Sequence, residues 1–175
     1  MTDFGMQDIF SNSPAPTASI DACLSDGFHL DNGVRISDGD GLILVQGEAF
    51  AWRPWEVSDR GAGGKDGRKR RSMVNLKGQW DTEQGSERTS DQGVGGGSSA
   101  WGLLETVWPK PEMLILGLGK RMRPLSPATR KKIHELGIRV DVQDTRNAAA
   151  QFNLLATERG VGNVACALVP LGRRD

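Results

Sequence analysis

The residues best placed to do chemistry are Gly117-Leu118-Gly119-Lys120, which follow an apolar run and precede Arg121 and Arg123. Backbone N–H groups at a glycine turn, joined by Lys120, Arg121 and Arg123, are the parts of an anion site. Asp144, at the end of the next strand-like segment, would be the polar partner at the same sheet edge. This arrangement would suit a small-molecule or anion-binding enzyme. The spacing is neither GxGxxG nor a P-loop, since no Ser or Thr follows the lysine and no helix opens at the loop. A tight turn accounts for Gly117 and Gly119 without a ligand.

Other reactive side chains have structural explanations. Ser126 as a nucleophile needs a base, and nothing brings His29 or His134, the two histidines, to it with a carboxylate. Ser126-Pro127 instead reads as a helix N-cap followed by an N1 proline. His134 sits beside Glu135 near the end of that helix, where an imidazolium suits the macrodipole in a solvated position. Asp144 and Asn147 surround a second helix start and ordinarily satisfy its backbone donors. Cys23 and Cys166 lack the spacing of a zinc site or redox pair and read as buried thiols. No catalytic, cofactor or metal residue is assigned.

Five tryptophans stand beside no tyrosine. Trp52, Trp55, Trp101 and Trp108 flank a glycine-rich stretch on both sides, where exposed aromatics would suit a partner surface. Core packing of two or more of them is the equal alternative. Arg68-Lys69-Arg70-Arg71 could engage anionic lipid, RNA or an import receptor, or be a solvated linker.

The elements that must position these groups fall in two halves. Met1 to about Ala18 is small and polar with two prolines, and reads as a flexible arm. From Ser19 to Pro54 come short apolar runs broken by turn residues: Ile20 to Leu24, a hairpin about Asn32-Gly33, Leu42 to Val45, and Ala49 to Trp52. Together they predict a small antiparallel β unit. The stretch 56–99 carries GAGGKDGRKRRS and GVGGGSS with little apolar periodicity, and predicts a disordered surface insertion. Trp101 to Trp108 restores apolar bulk as either a short helix or a strand.

The last third is the most regular. Met113 to Gly117 is a continuous apolar run, as in a strand covered on both faces. A helix follows from the Ser126 cap to Gly137, then a strand in which Ile138, Val140 and Val142 alternate with Arg139 and Asp141 near a sheet edge. A second helix with Ala148, Phe152 and Leu155 on one face ends at Gly160, before a buried strand from Val164 to Val169. The series β-α-β-α-β predicts right-handed crossovers and a parallel core sheet. The expected organisation is one α/β domain over 19–175, interrupted at 56–99.

At 175 residues the chain has room for one core of ordinary size. Its 22 basic and 22 acidic side chains cancel, so no whole-molecule field draws it to nucleic acid, and no nucleic-acid partner is expected. No apolar run reaches the roughly 18 residues that begin to span a bilayer. The opening MTDFGMQDIFSNSPAP shows neither the arginines of a transit peptide nor a signal-peptide core.

Pro109-Lys110-Pro111-Glu112 with MLILGLG, then LSPATRKKIHELGIRVDVQDTRNAAAQFNLL and VACALVPL, resembles the Mth938-like family, also known as domain of unknown function 498. Phe28-His29-Leu30 with Asn32-Gly33, Leu42 to Val45, and Trp52 are similar to that family's N-terminal β unit. The resemblance covers about 19–55 and 101–171. It departs at Leu118, where the family usually has threonine, at Glu158-Arg159-Gly160, and in the glycine-rich insertion. It implies a three-layer α/β domain with a mixed, mostly parallel central sheet, without established catalytic residues or cofactor. It further implies non-enzymatic help in assembling the quinone module of respiratory complex I, on the matrix side of the mitochondrial inner membrane. The implied partners are quinone-module subunits and a companion assembly factor, with peripheral membrane association.

Overall fold

The computed structural model describes residues 18–57, 69–84 and 99–174. Ten strands and three helices follow in chain order among them. The strands are β1 (Ile20–Cys23), β2 (Phe28–Leu30), β3 (Arg35–Ile36), β4 (Gly41–Val45), β5 (Glu48–Trp52), β6 (Glu56–Val57), β7 (Lys69–Arg70), β8 (Met113–Gly117), β9 (Arg139–Gln143) and β10 (Val164–Leu168). The helices are α1 (Gly102–Thr106), α2 (Pro127–Glu135) and α3 (Thr145–Arg159).

The central sheet runs β5-β4-β10-β8-β9. β10 lies parallel to β8, and β8 parallel to β9, while β4 is antiparallel to both β10 and β5. The β-α-β-α-β series therefore supplies the parallel half, and the N-terminal β unit supplies the antiparallel half. All five positions of β4 and of β10 are buried, the mark of strands covered on both faces. Strand alternation divides them: Ile43, Val45, Ala165 and Ala167 pack into one apolar cluster, and Leu42, Leu44, Cys166 and Leu168 into another.

The second cluster lies under α3 and the small antiparallel sheet β1-β2-β3, where Phe28 and Phe152 are fully buried. The first is closed by α1, α2 and residues 71–84. This is the three-layer α/β arrangement expected from the sequence.

Caps form where the side chains predicted them. Ser126 Oγ accepts from Thr129 N–H at 3.1 Å ahead of Pro127, and Gly137 takes φ +77° just beyond α2. Asp144 accepts from the N–H groups of Arg146 and Asn147, both at 3.1 Å, to open α3. The hairpin about Asn32-Gly33 is also present, with Phe28 opposite Ile36 and Gly33 at φ +86°. The undecided stretch after Trp101 is the short helix α1.

The expected disordered insertion is corrected at its two ordered portions. Glu56–Val57 pairs with Lys69–Arg70 as β6 and β7, and Met73 and Trp80 are completely or almost completely buried in the core. The Trp80 N–H donates to the Pro124 carbonyl at 2.8 Å, and the Ser126 N–H to the Trp80 carbonyl at 2.9 Å, so this segment docks beside the start of α2. Isolated bulky residues between turns give no periodic signal, yet each removes a large apolar area from water. Residues 58–68 and 85–98 of the insertion, and 1–17 of the predicted arm, lie outside the described residues. Ala18, assigned to that arm, is buried against the second cluster.

Candidate functional site

Three of the four tryptophans proposed as a partner surface are core residues. Trp52, Trp55 and Trp101 are buried, whereas Trp108 is 82% exposed. Trp52 meets Trp101 at 5.4 Å and Trp80 at 6.0 Å between ring centroids, with Trp80 and Trp101 at 6.3 Å. These tilted and edge-on geometries are the favourable ones for aromatic packing. The Trp52 indole N–H donates to the Ala100 carbonyl at 2.8 Å, and that of Trp101 to Thr82 Oγ1 at 3.2 Å. Trp55 lies 3.9 Å beneath the Arg173 guanidinium. The tryptophans flank the insertion because they anchor the segments that enter and leave it, including Trp80 inside it. Trp80 was not among the sequence candidates, having no apolar neighbours in the chain.

The candidate anion loop sits at the carboxyl end of β8, beside β9 and β10, as the β-α-β pattern requires. Its first donors are already committed to the protein. Leu118 N–H donates to the Gln143 carbonyl at 3.0 Å, and Gly119 N–H to Thr145 Oγ1 at 2.8 Å. Thr145 Oγ1 in turn donates to the Val169 carbonyl at 2.6 Å. Gly117 is tightly enclosed: a Cβ there would lie 2.7 Å from Leu168 Cδ2 and 2.8 Å from the Thr145 Cα. Gly119 adopts φ +93°, which a side chain would strain. The glycines thus serve a close approach and a turn. Lys120 and Arg121 are exposed, Arg123 is half-buried, and Asp144 is engaged as the cap of α3. The loop and Asp144 are brought to one sheet edge, where the Leu118 and Gly119 N–H groups are already taken by the protein.

Ser126 is 2% exposed and its hydroxyl is used on both sides, accepting from the Thr129 N–H and donating to Thr129 Oγ1 at 3.0 Å. Neither histidine is bonded to it. Among the described residues no group of three or more His, Cys, Asp or Glu is arranged to hold a metal ion. Cys166 is fully buried, and Cys23 is half-buried; burial pushes both thiols up from their ordinary value. Of the basic run, Arg68 lies outside the described residues. Arg71 turns its guanidinium to the carbonyls of Thr82, Gln84 and Pro54 at 2.6, 2.8 and 3.2 Å, where burial lowers its pKa. That side chain ties the segment down instead of reaching outward.

Among the described residues no helix is long and apolar enough to cross a membrane.

Known proteins resemble this chain in sequence and in fold. A protein of Xenopus tropicalis named NADH dehydrogenase [ubiquinone] 1 alpha subcomplex assembly factor 3 is 41% identical over 68 residues, which are 39% of this chain and 36% of that one. The Homo sapiens protein of the same name is 35% identical over 92 residues, 53% of this chain and 45% of that one. The chain therefore spans less than half the length of the curated relatives it matches. Among solved structures, one described as an outer membrane protein from Bartonella henselae superposes with TM-score 0.54 at 18% identity, covering 87% of this chain and 94% of that one. The solution structure of a Bordetella pertussis protein described as a Mth938-like domain gives TM-score 0.50 at 23% identity over 92% and 91% of the two chains. These two likenesses concern the fold. The family described as "Protein of unknown function (DUF498/DUF598)" matches residues 20–169, nearly the whole described domain, and this chain belongs to it.

Proposed function

We propose that this protein is a non-enzymatic assembly factor for mitochondrial respiratory complex I. In this reading it docks on nascent quinone-module subunits together with a companion assembly factor, on the matrix side of the inner membrane. The observation that carries it is the 41% identity to the Xenopus tropicalis assembly factor 3. Peripheral attachment to the membrane accords with a described fold whose helices are short.

The fold leaves features that suit docking. Trp108 is 82% exposed next to half-buried Val107, and aromatics of this kind are frequent anchors of protein interfaces. Trp52, buried against Trp80 and Trp101, serves the core and is not part of that surface.

The test is affinity purification of the tagged protein from its own cells, with quantitative mass spectrometry and a Trp108→Ala variant alongside. Co-enrichment of quinone-module subunits, reduced in the variant, is the expected result. Recovery of the intact bait without any complex I subunit would sink the reading.

A further inference from the structure

The central sheet has two edges, and they are not equivalent. On the β5 side the segment before α1 leans in: Trp52 donates to the Ala100 carbonyl, and Ala100 and Leu103 line one groove with Phe50 and Ala51. On the far side of β9 no described strand pairs. The Arg139 N–H donates to the Glu112 carbonyl at 3.1 Å, and the Gln143 carbonyl accepts from Leu118 N–H at 3.0 Å. Arg139, Asp141 and Gln143 thus turn their backbone groups toward β8, and strand alternation turns those of Val140 and Val142 outward. A row of outward N–H and C=O groups is a template for another strand.

Beside that edge lies a groove of about 480 Å³ between α2 and β9, lined by Arg130, Lys131, His134, Ile138, Arg139 and Val140. Its floor is apolar, with Ile138 buried and Val140 half-buried. Its rim is cationic. Lys131 has Glu135 at 3.8 Å, a pair in which both side chains are well exposed, while Arg130 and Arg139 have no ion pair among the described residues. On the same helix Lys132 is matched by Glu105 at 3.1 Å.

We propose that the open edge of β9 and this groove take an extended acidic segment of a partner protein as a sixth strand. The partner's main chain would bond to Val140 and Val142, and its carboxylates would lie beside Arg130 and Lys131 on the groove's face of the sheet and beside Arg139 on the other. The outward backbone offers donors and acceptors alternately, and the apolar floor offers nothing to a phosphate, so a polypeptide fits better than a nucleic acid. The inference rests on the reading of the chain as a docking protein and names one surface for it.

The experiment uses the full chain and a labelled synthetic peptide of repeated Val-Val-Glu-Glu, which presents both residue types on each face of a strand, followed by fluorescence anisotropy, with amide shifts of Val140 and Val142 recorded by NMR. Val140→Pro removes an outward donor and leaves the ladder to β8 intact. The exposed charge reversals Arg130→Glu and Arg139→Glu alter the rim without touching the core. The expected result is saturable binding that weakens with added salt and falls about tenfold or more in Val140→Pro and in the double reversal. Absence of saturable binding overturns the inference, as does equal binding to the variants, to the same peptide with lysine for glutamate, or to a single-stranded oligonucleotide. The two readings fail separately. Peptide binding without co-purified complex I subunits would leave the groove standing and remove the assembly role, and the reverse would do the opposite.

Discussion

The Thr82 backbone N–H donates to Thr129 Oγ1 at 2.9 Å, joining the segment around Trp80 to the first turn of α2. Thr129 is fully buried and its hydroxyl also meets Ser126 Oγ at 3.0 Å, Thr82 Oγ1 at 3.2 Å and Asp81 Oδ1 at 3.2 Å. One hydroxyl is therefore the hub of a polar contact network between these two elements.

Replacing Thr129 by valine keeps the shape and leaves the Thr82 N–H buried without an acceptor. The loss expected is about 1–3 kcal/mol, the cost of an orphaned buried donor. Urea denaturation would show it as a lower midpoint at unchanged slope, with faster hydrogen exchange at the Thr82 amide. An unchanged midpoint would mean that this hydroxyl adds nothing measurable to the hold on the segment.

Trp80→Ala removes a ring that is 1% exposed and touches two other indoles. It should cost about 3–5 kcal/mol, as truncation of a large core aromatic does. Trp108→Ala, at an 82% exposed position, should stay within about 0.5 kcal/mol of the parent. Thermal melts of the two variants measure the difference directly, and comparable losses would place Trp80 outside the core.

Acid should weaken one surface link. Lys132 beside Glu105, with the Ser99 hydroxyl, holds the Glu105 carboxyl below the usual glutamate value. Its folded pKa is depressed, so its contribution is present above the unfolded value and is lost as pH falls through the folded one. Lys132 is shifted the other way, upward by its bond to Glu105, so its contribution is present below the unfolded lysine value and lost as pH rises through the folded one. Stability curves of Glu105→Gln and the parent should therefore converge in acid, below about pH 4, and separate slightly at neutrality. Both side chains are partly exposed, at 35% and 34%, and the separation should shrink in high salt.

The thiols should be unreactive in the folded protein. Cys166 is completely buried and its pKa is raised strongly by burial, and Cys23 is raised in the same sense. Alkylation at mildly alkaline pH should label Cys166 only on unfolding and Cys23 slowly, since the thiolate is the reacting form. Rapid labelling of Cys166 under native conditions would show that β10 opens locally.

The regular part of the fold was legible because its signals are periodic. Ser126, Pro127 and Gly137 bounded α2, Asp144 and Gly160 bounded α3, and the unbroken apolar runs of β8 and β10 marked strands with two covered faces. What could not be read was the partnership of isolated residues. Met73 and Trp80 sit in text rich in turn formers, and only the folded chain shows them completing the cluster under Trp52 and Trp101. The same lack of periodicity made exposed and buried tryptophans indistinguishable, so Trp52, Trp55 and Trp101 were candidates for a surface they do not reach. The groove beside β9 was invisible for another reason. Arg130 and Arg139 belong to different elements, and their shared lack of a carboxylate among the described residues is a property of three-dimensional placement.

The sheet order has a consequence for how the chain is made. β10 is central, with β4 on one side and β8 on the other, yet the ribosome delivers it after the other four strands of this sheet. Until it emerges, the N-terminal hairpin strands and the β8-β9 pair have no shared ladder, and Cys166 must find Leu44 across most of the chain. Contacts so distant in sequence close late and slowly. The nascent domain therefore spends its synthesis as two half-sheets with exposed edges, each a site for premature pairing with a neighbour, and the last strand closes both at once.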